Sequence, residues 1–145
     1  MECLVSLTFC SEYSPADELL VVNTHIHWDP EFSDVKLMQA KLMLEKIEEL
    51  LQMEKKPLPV VIAGDFNSTP TSAVYRLLHD REVKGDDEDF LGYHYGQYSI
   101  EGLTHRLQLR SAYAETSGEP EFTNFVSDYV GTLDYIWYSS ELVVD

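Results

Sequence analysis

The chain has 145 residues, which is enough for one domain with a hydrophobic core and too few for two. A hydrophobic fraction of 44% excludes a wholly disordered chain, and no apolar run reaches the ~18 residues of a membrane-spanning helix. The formal net charge of −16 argues against nonspecific binding to nucleic acid, because an anionic surface repels phosphate groups. Two cysteines, Cys3 and Cys10, are too few for a disulfide scaffold and are typical of a reducing compartment.

Two strands are predicted first along the chain. Residues 4–9 are interpreted as a strand rather than a signal-peptide core, because Glu2 stands where a signal peptide carries basic residues. A polar turn over residues 11–17 then leads to a second strand over residues 18–25. The short connection predicts an antiparallel hairpin.

A long amphipathic helix is predicted next, over residues 34 to about 52, with Ser33 as its N-cap. Its apolar side chains fall on one side and are Ala40, Met43, Leu44, Ile47, Leu50 and Leu51. Residues 60–63 are all apolar, which predicts a short strand buried on both faces.

The second half of the chain predicts shorter elements. A short helix is expected over residues 71–78. It is followed over residues 80–102 by a long surface loop or excursion, expected to be mobile, whose acidic run is interpreted as solvated surface. Residues 107–113 are expected to form a short helix or turn, and residues 122–126 and 133–138 the last strands. This alternation of helical and strand periods predicts one layered α/β domain without an internal boundary.

The first candidate for chemistry is Gly64-Asp65-Phe66-Asn67, directly after the apolar strand. Because a carboxylate is costly to bury, Asp65 is expected at the mouth of the sheet, where α/β proteins gather their ligand sites. Asp65 can bind a hard cation or accept a proton from water, and the Asn67 amide can donate to a phosphate oxygen. The alternative is that both side chains only satisfy a turn.

A second candidate is the pair His25 and His27, which strand alternation places on one side. Either imidazole can donate to a phosphate, or both can be structural. Zinc is not expected, because no further Cys or His is spaced to complete three or four ligands.

A third candidate surrounds Asp134, which precedes an apolar strand and is therefore expected at a strand end as well. Tyr129 can offer a ring face to a nucleobase, whereas Phe125 is expected in the core. No Gly-rich phosphate loop, nucleophile elbow or reactive cysteine is present in the sequence. The remaining carboxylate, amide and histidine groups suit metal-assisted attack of water on a phosphoester.

Three of these motifs, in this order, resemble the DNase-I-like endonuclease/exonuclease/phosphatase superfamily: Asn23-Thr24-His25, Gly64-Asp65-Phe66-Asn67 and Leu133-Asp134-Tyr135-Ile136. The chain is also similar to the carbon-catabolite-repressor-type poly(A) deadenylases, the catalytic subunits of the Not complex. This similarity lies in residues 25–37, 103–105, 107–113, 122–124 and 134–139. The likeness covers nearly the whole chain, and the acidic stretch around Asp86 is the main gap.

The resemblance implies part of a two-sheet α/β sandwich with outer helices, and Mg²⁺-dependent hydrolysis of poly(A) from its 3′ end with release of AMP. It implies that Asp65 holds the metal and activates water, that Asn67 holds the scissile phosphate, and that His25 contacts this phosphate. Asp134 resembles a second essential aspartate that orients a histidine. The residues implied to contact the adenine nucleotide are Pro30, Asn124 and Tyr129, the last being Phe in many relatives.

The family's first metal-binding glutamate is expected before Met1 and its last catalytic histidine after Asp145. The resemblance therefore implies the C-terminal part of a catalytic domain, which we expect to be inactive alone and to self-associate. Its parent protein is expected in the cytoplasm and also in the nucleus. Its expected partners are poly(A) RNA and Not-complex subunits, and no membrane association is expected. Two alternatives stay open: a phosphatase or phosphodiesterase of small nucleotides, and a non-catalytic binding or scaffold segment.

Overall fold

A computed structural model describes residues 6–9, 18–54 and 57–139. The strands are, in chain order, β1 (Ser6–Phe9), β2 (Leu20–His25), β3 (Val60–Asp65), β4 (Glu82–Val83), β5 (Leu103–Thr104), β6 (Leu109–Ser111), β7 (Asn124–Phe125), β8 (Val130–Gly131) and β9 (Asp134–Ser139). The helices are α1 (Ser33–Met53), α2 (Ala73–Asp80), α3 (Tyr98–Glu101) and α4 (Ala112–Thr116), with a 3₁₀ turn over Glu88–Phe90. None of the described helices is long and apolar enough to cross a membrane.

Five strands form the main sheet in the order β1-β2-β3-β9-β6. The predicted hairpin is confirmed, since β1 pairs antiparallel with β2; the predicted turn over residues 11–17, and Cys3 and Cys10, lie outside the described residues. Strand β3 is central, because it pairs parallel with β2 and antiparallel with β9. The mixed sheet with helices is the α/β class that the sequence predicts.

Helix α1 covers one face of this sheet with the predicted apolar stripe. The stripe residues that are fully buried are Ala40, Met43, Leu44 and Ile47, whereas Leu50 and Leu51 are half-buried. The prediction that Ser33 caps the helix is wrong: Phe32 is the N-cap, and the Ser33 hydroxyl donates to the Asp89 carbonyl at 3.1 Å. A tertiary hydrogen bond therefore takes the hydroxyl away from the helix end.

Strand β3 is covered fully on one face only. Val60 and Ile62 are buried in the core with side chains of α1 and α2, whereas Val61 and Ala63 are half-buried. The prediction of burial on both faces is therefore wrong for the described part of the chain, because both long helices lie on the same side of the sheet.

The segment after α2 is the excursion that the sequence offers as an alternative to a loop, and it contains short elements of its own. Strands β4 and β5 pair antiparallel, Phe90 is buried, and the Tyr98 hydroxyl donates to Glu45 at 2.9 Å. Its acidic run is also more than solvated surface, because Asp87 accepts from Arg76 at 2.7 Å and the Asp89 carboxylate accepts from a backbone N–H of α2. Aromatic and acidic side chains of the excursion thus dock on α1 and α2.

The remaining elements lie close to their predictions. The helix expected over residues 71–78 is α2, capped by the Ser72 hydroxyl, which accepts from the Tyr75 N–H at 3.2 Å. The expected helix or turn over residues 107–113 is instead strand β6, followed directly by α4. The predicted strand over residues 122–126 contains β7, and the one over residues 133–138 overlaps β9, which ends one residue later.

Candidate active site

Three predicted site residues lie in a row across the end of the main sheet. Asp65 ends β3 and stands opposite His25 of β2 and Asp134 of β9 in the strand register. The His25 Nε2 atom is 3.8 Å from the Asp65 Oδ2 atom. Two strands that run in parallel and a third that runs against them therefore bring together side chains that are far apart in sequence.

The backbone around Asp65 explains why the polar group appears at this point. A Cβ atom on Gly64 would stand 1.9 Å from the Thr24 carbonyl oxygen, so only glycine allows β2 and β3 to approach this closely. Beyond Asp65, Phe66 is buried and Asn67 adopts the left-handed conformation with φ 45°. The Asn67 N–H donates to Asp65 Oδ1 at 2.8 Å, so the turn that the sequence leaves open as an alternative is present.

Although they form this turn, the Asp65 and Asn67 side chains each keep a polar atom that the turn does not use. The Asn67 Nδ2 atom donates one of its two hydrogens to the Ile26 carbonyl at 2.9 Å, which leaves the other for a ligand. The second carboxylate oxygen of Asp65 faces His25. The turn and a functional role are thus compatible.

The environment of Asp65 favours a cation. Burial raises the pKa of the Asp65 carboxyl, and the neighbouring Asp134 raises it further, while the Asn67 N–H, His25 and Lys36 lower it. A desolvated carboxylate beside a second carboxylate is stabilised in its charged form when positive charge approaches. Within the described residues, however, no group of three or more His, Cys, Asp or Glu side chains is placed to hold a metal ion.

Asp134 is held by a residue that the sequence does not single out, Thr123. The Thr123 hydroxyl donates to Asp134 Oδ2 at 2.7 Å and accepts from the backbone N–H groups of Leu133 and Asp134, each at 3.0 Å. Thr123 therefore fixes the orientation of this carboxylate. Its only signal in the sequence is its position directly before Asn124.

A cavity of about 720 Å³ lies beside the row. Its wall contains all three residues implied to contact adenine, Pro30, Asn124 and Tyr129, together with Asn67. His25, Asp65 and Asp134 are not in this wall. The Asn67 turn therefore joins the cavity to the carboxylates.

Asn124, which lines this cavity, carries an unusual atom. Its Oδ1 atom is buried and has no hydrogen-bond partner among the described residues. Buried polar atoms are normally paired, so this acceptor is an exception among the described residues.

Phe125 and His27 lie outside the core and outside the row, respectively. Phe125 is 72% exposed, and its ring centroid lies 5.6 Å from that of Phe122, so its predicted place in the core is wrong. The reason is that β7 and β8 form a separate hairpin outside the main sheet. His27 follows the end of β2, and its ring centroid lies 5.6 Å from that of Phe32. It takes no part in the His25–Asp65 pair.

Lys36 is the second residue near the site that the sequence prediction misses. It is 7% exposed, lines the cavity, and donates from Nζ to the Asn67 carbonyl at 2.8 Å. Its signal is its spacing, because position 36 precedes Ala40 by one helical turn and so continues the apolar stripe of α1.

The profile of the endonuclease/exonuclease/phosphatase family matches residues 11–145. The chain belongs to this family. Over 144 residues it is 39% identical to the CCR4-Not complex 3′-5′-exoribonuclease subunit Ccr4 of Yarrowia lipolytica, covering 85% of this chain and 20% of that protein. It is 40% identical over 136 residues to the Ccr4 subunit of Saccharomyces cerevisiae, covering 86% of this chain and 16% of that protein. The resemblance to the deadenylase family is thereby confirmed, and the chain spans about a fifth of the length of these relatives.

Solved structures confirm the fold. ANGEL2, a 2′,3′-cyclic phosphatase solved with adenosine-2′,3′-vanadate, superimposes with a TM-score of 0.72 at 24% identity, covering 95% of this chain and 50% of ANGEL2. The human Nocturnin catalytic domain gives a TM-score of 0.58 at 22% identity, covering 95% of this chain and 41% of that domain. The DNase-I-like α/β architecture is therefore shared.

Proposed function

We propose that this chain supplies the nucleotide-binding part of the active site of a Mg²⁺-dependent 3′ exoribonuclease that releases AMP from poly(A). The observation that carries the proposal is the cavity wall of Pro30, Asn124 and Tyr129, joined through Asn67 to the Asp65 carboxylate. The exoribonuclease names of the Ccr4 relatives support the reaction.

The residues at the sheet end suit phosphoester hydrolysis. The second N–H of Asn67 Nδ2 donates to an oxygen of the scissile phosphate, and His25 donates to the same group from the edge of the sheet. Asp65, whose pKa is raised by burial, accepts a proton from the attacking water. Thr123 keeps Asp134 directed toward the row.

Two of the donors present suit Mg²⁺ chemically, although the described residues assemble no group of three ligands. This ion prefers carboxylate oxygens, and Asp65 and Asp134 offer two carboxylates at neighbouring register positions. Asp65 would hold the ion, because its carboxylate is half-buried beside a second negative charge. When bound, the ion supplies positive charge that stabilises the negative charge developing on the phosphate.

Adenine specificity follows from the chemistry of the cavity wall. The Tyr129 ring offers a stacking face, which binds a purine over a large area. The unpaired Asn124 Oδ1 acceptor suits the exocyclic amine of adenine, whereas guanine and uracil present carbonyl oxygens at the corresponding position. We therefore propose poly(A) RNA as the substrate.

The same proposal extends to assembly and location. The Ccr4 relatives are, by name, subunits of the CCR4-Not complex. We propose that the full-length protein binds Not-complex subunits and acts in the cytoplasm and nucleus.

The test is product analysis with the full-length gene product. We expect Mg²⁺-dependent release of AMP from the 3′ end of oligo(A), and much slower release from oligo(U) and oligo(C). Asn124→Ala should reduce the preference for oligo(A), while Gln52→Ala, which removes an exposed amide of α1 away from the cavity wall, should not. Release of inorganic phosphate from small nucleotides, without shortening of oligo(A), would favour the phosphatase alternative instead.

A further inference from the structure

Helix α1 buries two lysines, an uncommon arrangement because an ammonium group loses its hydration when it is buried. Lys36 is 7% exposed and Lys41 is 8% exposed. Each donates from Nζ to a backbone carbonyl, Lys36 to Asn67 at 2.8 Å and Lys41 to Thr104 at 2.7 Å. The two residues are thus matched in burial and in having a backbone carbonyl as partner, and they differ in their other neighbours and in location.

Their locations separate a site role from a purely structural one. Lys41 is also 3.1 Å from the Glu45 carboxylate, and its ammonium lies 5.9 Å from the Tyr98 ring centroid, on the side where the excursion docks. Lys36 lines the cavity, and none of the described carboxylates is within 4.0 Å of its ammonium. Lys41 therefore secures the excursion, whereas Lys36 secures the turn that carries Asn67.

The Asn67 turn is held at three points. The Asn67 N–H donates to Asp65 Oδ1, its Nδ2 atom donates to the Ile26 carbonyl, and its carbonyl accepts from Lys36. Asn67 also has a φ of 45°, a conformation that non-glycine residues adopt infrequently. Without the ammonium, the carbonyl end of this turn loses its side-chain partner, so the orientation of the Asn67 amide is held by two bonds instead of three.

Lys36 also lies among negative charges. Burial lowers the pKa of its ammonium, while Asp29, Asp89 and Asp65 raise it. The ammonium thus offsets part of the acidic charge where the phosphate of a substrate would enter.

We propose that Lys36 is a positioning residue of the reaction, which holds the Asn67 amide in place and provides positive charge beside the phosphate site. The proposal rests on the proposed function, in which Asn67 contacts the scissile phosphate. Lys36 acts through Asn67 and is not itself assigned a chemical step.

The experiment compares Lys36→Met with Lys41→Met in the full-length gene product. Both changes remove a buried ammonium and keep an unbranched side chain. We expect Lys36→Met to lower kcat on oligo(A) about 10²-fold with KM little changed, as a displaced catalytic group does. Lys41→Met should lower the melting temperature and leave kcat unchanged. Equal kcat values for the two folded variants would overturn the proposal.

A second measurement separates this proposal from the proposed function. The side-chain amide signals of Asn67 in an NMR spectrum should move in Lys36→Met and stay in place in Lys41→Met. If the wild type releases no AMP, the proposed function fails, and these signals alone decide whether Lys36 positions Asn67. Should Lys36→Met not fold, Lys36→Gln takes its place, since its neutral amide removes the charge; unmoved Asn67 signals in that variant would overturn the proposal.

Discussion

Replacing Tyr129 by Ala should weaken the binding of oligo(A) far more than it slows the chemistry. Tyr129 lines the cavity and remains 37% exposed, so part of its side chain is accessible to a base. Loss of one stacked base costs ~1–3 kcal/mol, which corresponds to a roughly 5- to 150-fold higher dissociation constant. The Asp65 row lies outside this wall, so kcat should change less. Binding of labelled oligo(A) and single-turnover cleavage measure the two effects separately.

The matched control is Tyr129→Phe, which keeps the ring and removes the hydroxyl. No hydrogen bond joins this hydroxyl to another described residue, and burial raises the pKa of the phenol, so the group is neutral at physiological pH. Tyr129→Phe should therefore bind oligo(A) like the wild type. If it were as damaging as Tyr129→Ala, the hydroxyl would be the recognition element and stacking would be refuted.

Three further predictions concern the sheet end. Asp65→Asn should lower kcat at least ~10²-fold in a folded protein. Because burial raises the Asp65 pKa, the metal-free wild type should also lose stability relative to Asp65→Asn as the pH rises from the ordinary 3.8 through the raised value. Denaturant titrations at several pH values would detect this loss. Gly64→Ala should destabilise the fold by more than the ~1–3 kcal/mol of ordinary overpacking, because the added Cβ atom would lie 1.9 Å from a backbone oxygen. The control is Gly118→Ala, whose Cβ atom would have no neighbour within 4 Å and which therefore reports only the backbone strain. Equal unfolding free energies for the two variants would contradict this prediction. Thr123→Val should cost ~1–3 kcal/mol in chemical denaturation by removing the bond to Asp134, and no loss would show that Asp134 is oriented by other groups.

The site was predictable from sequence where a local pattern determines the position of a side chain. An apolar strand followed by an Asp places that Asp at a strand end, and this holds for Asp65 and, in the reverse direction, for Asp134. Their direct pairing was not predictable, because it depends on the register between β3 and β9. The local sequence pattern predicts where a strand ends, whereas the pairing of strands in the sheet determines which strand ends lie side by side.

The errors share a physical cause, which is a tertiary contact that outweighs a local preference. Ser33 has the right identity for an N-cap, yet its hydroxyl bonds to the carbonyl of Asp89, 56 positions further along the chain. The excursion has the composition of a mobile loop, yet Phe90 is buried and Tyr98 bonds to Glu45 of α1. Such partners are distant in sequence, and no local window contains both.

Phe125 shows the opposite case, an apolar residue without a layer to cover it. Its short strand pairs only with β8, so the two-residue hairpin turns its side chain away from the main core. Local hydrophobicity predicts burial only when a second layer lies over the strand. The described part of the chain places no such layer over Phe125, which is 72% exposed.

The acidic composition and an RNA substrate are compatible once the range of each interaction is considered. A net charge of −16 repels RNA at long range, but salt screens this repulsion beyond ~8 Å at physiological ionic strength. At shorter range the cavity wall presents neutral groups, the Tyr129 ring and the Asn124 amide, with the Lys36 ammonium beside them. In the proposed function these groups bind one terminal nucleotide, which requires few phosphate contacts. An acidic surface then disfavours nonspecific contacts along the RNA and leaves recognition to the base held in the cavity.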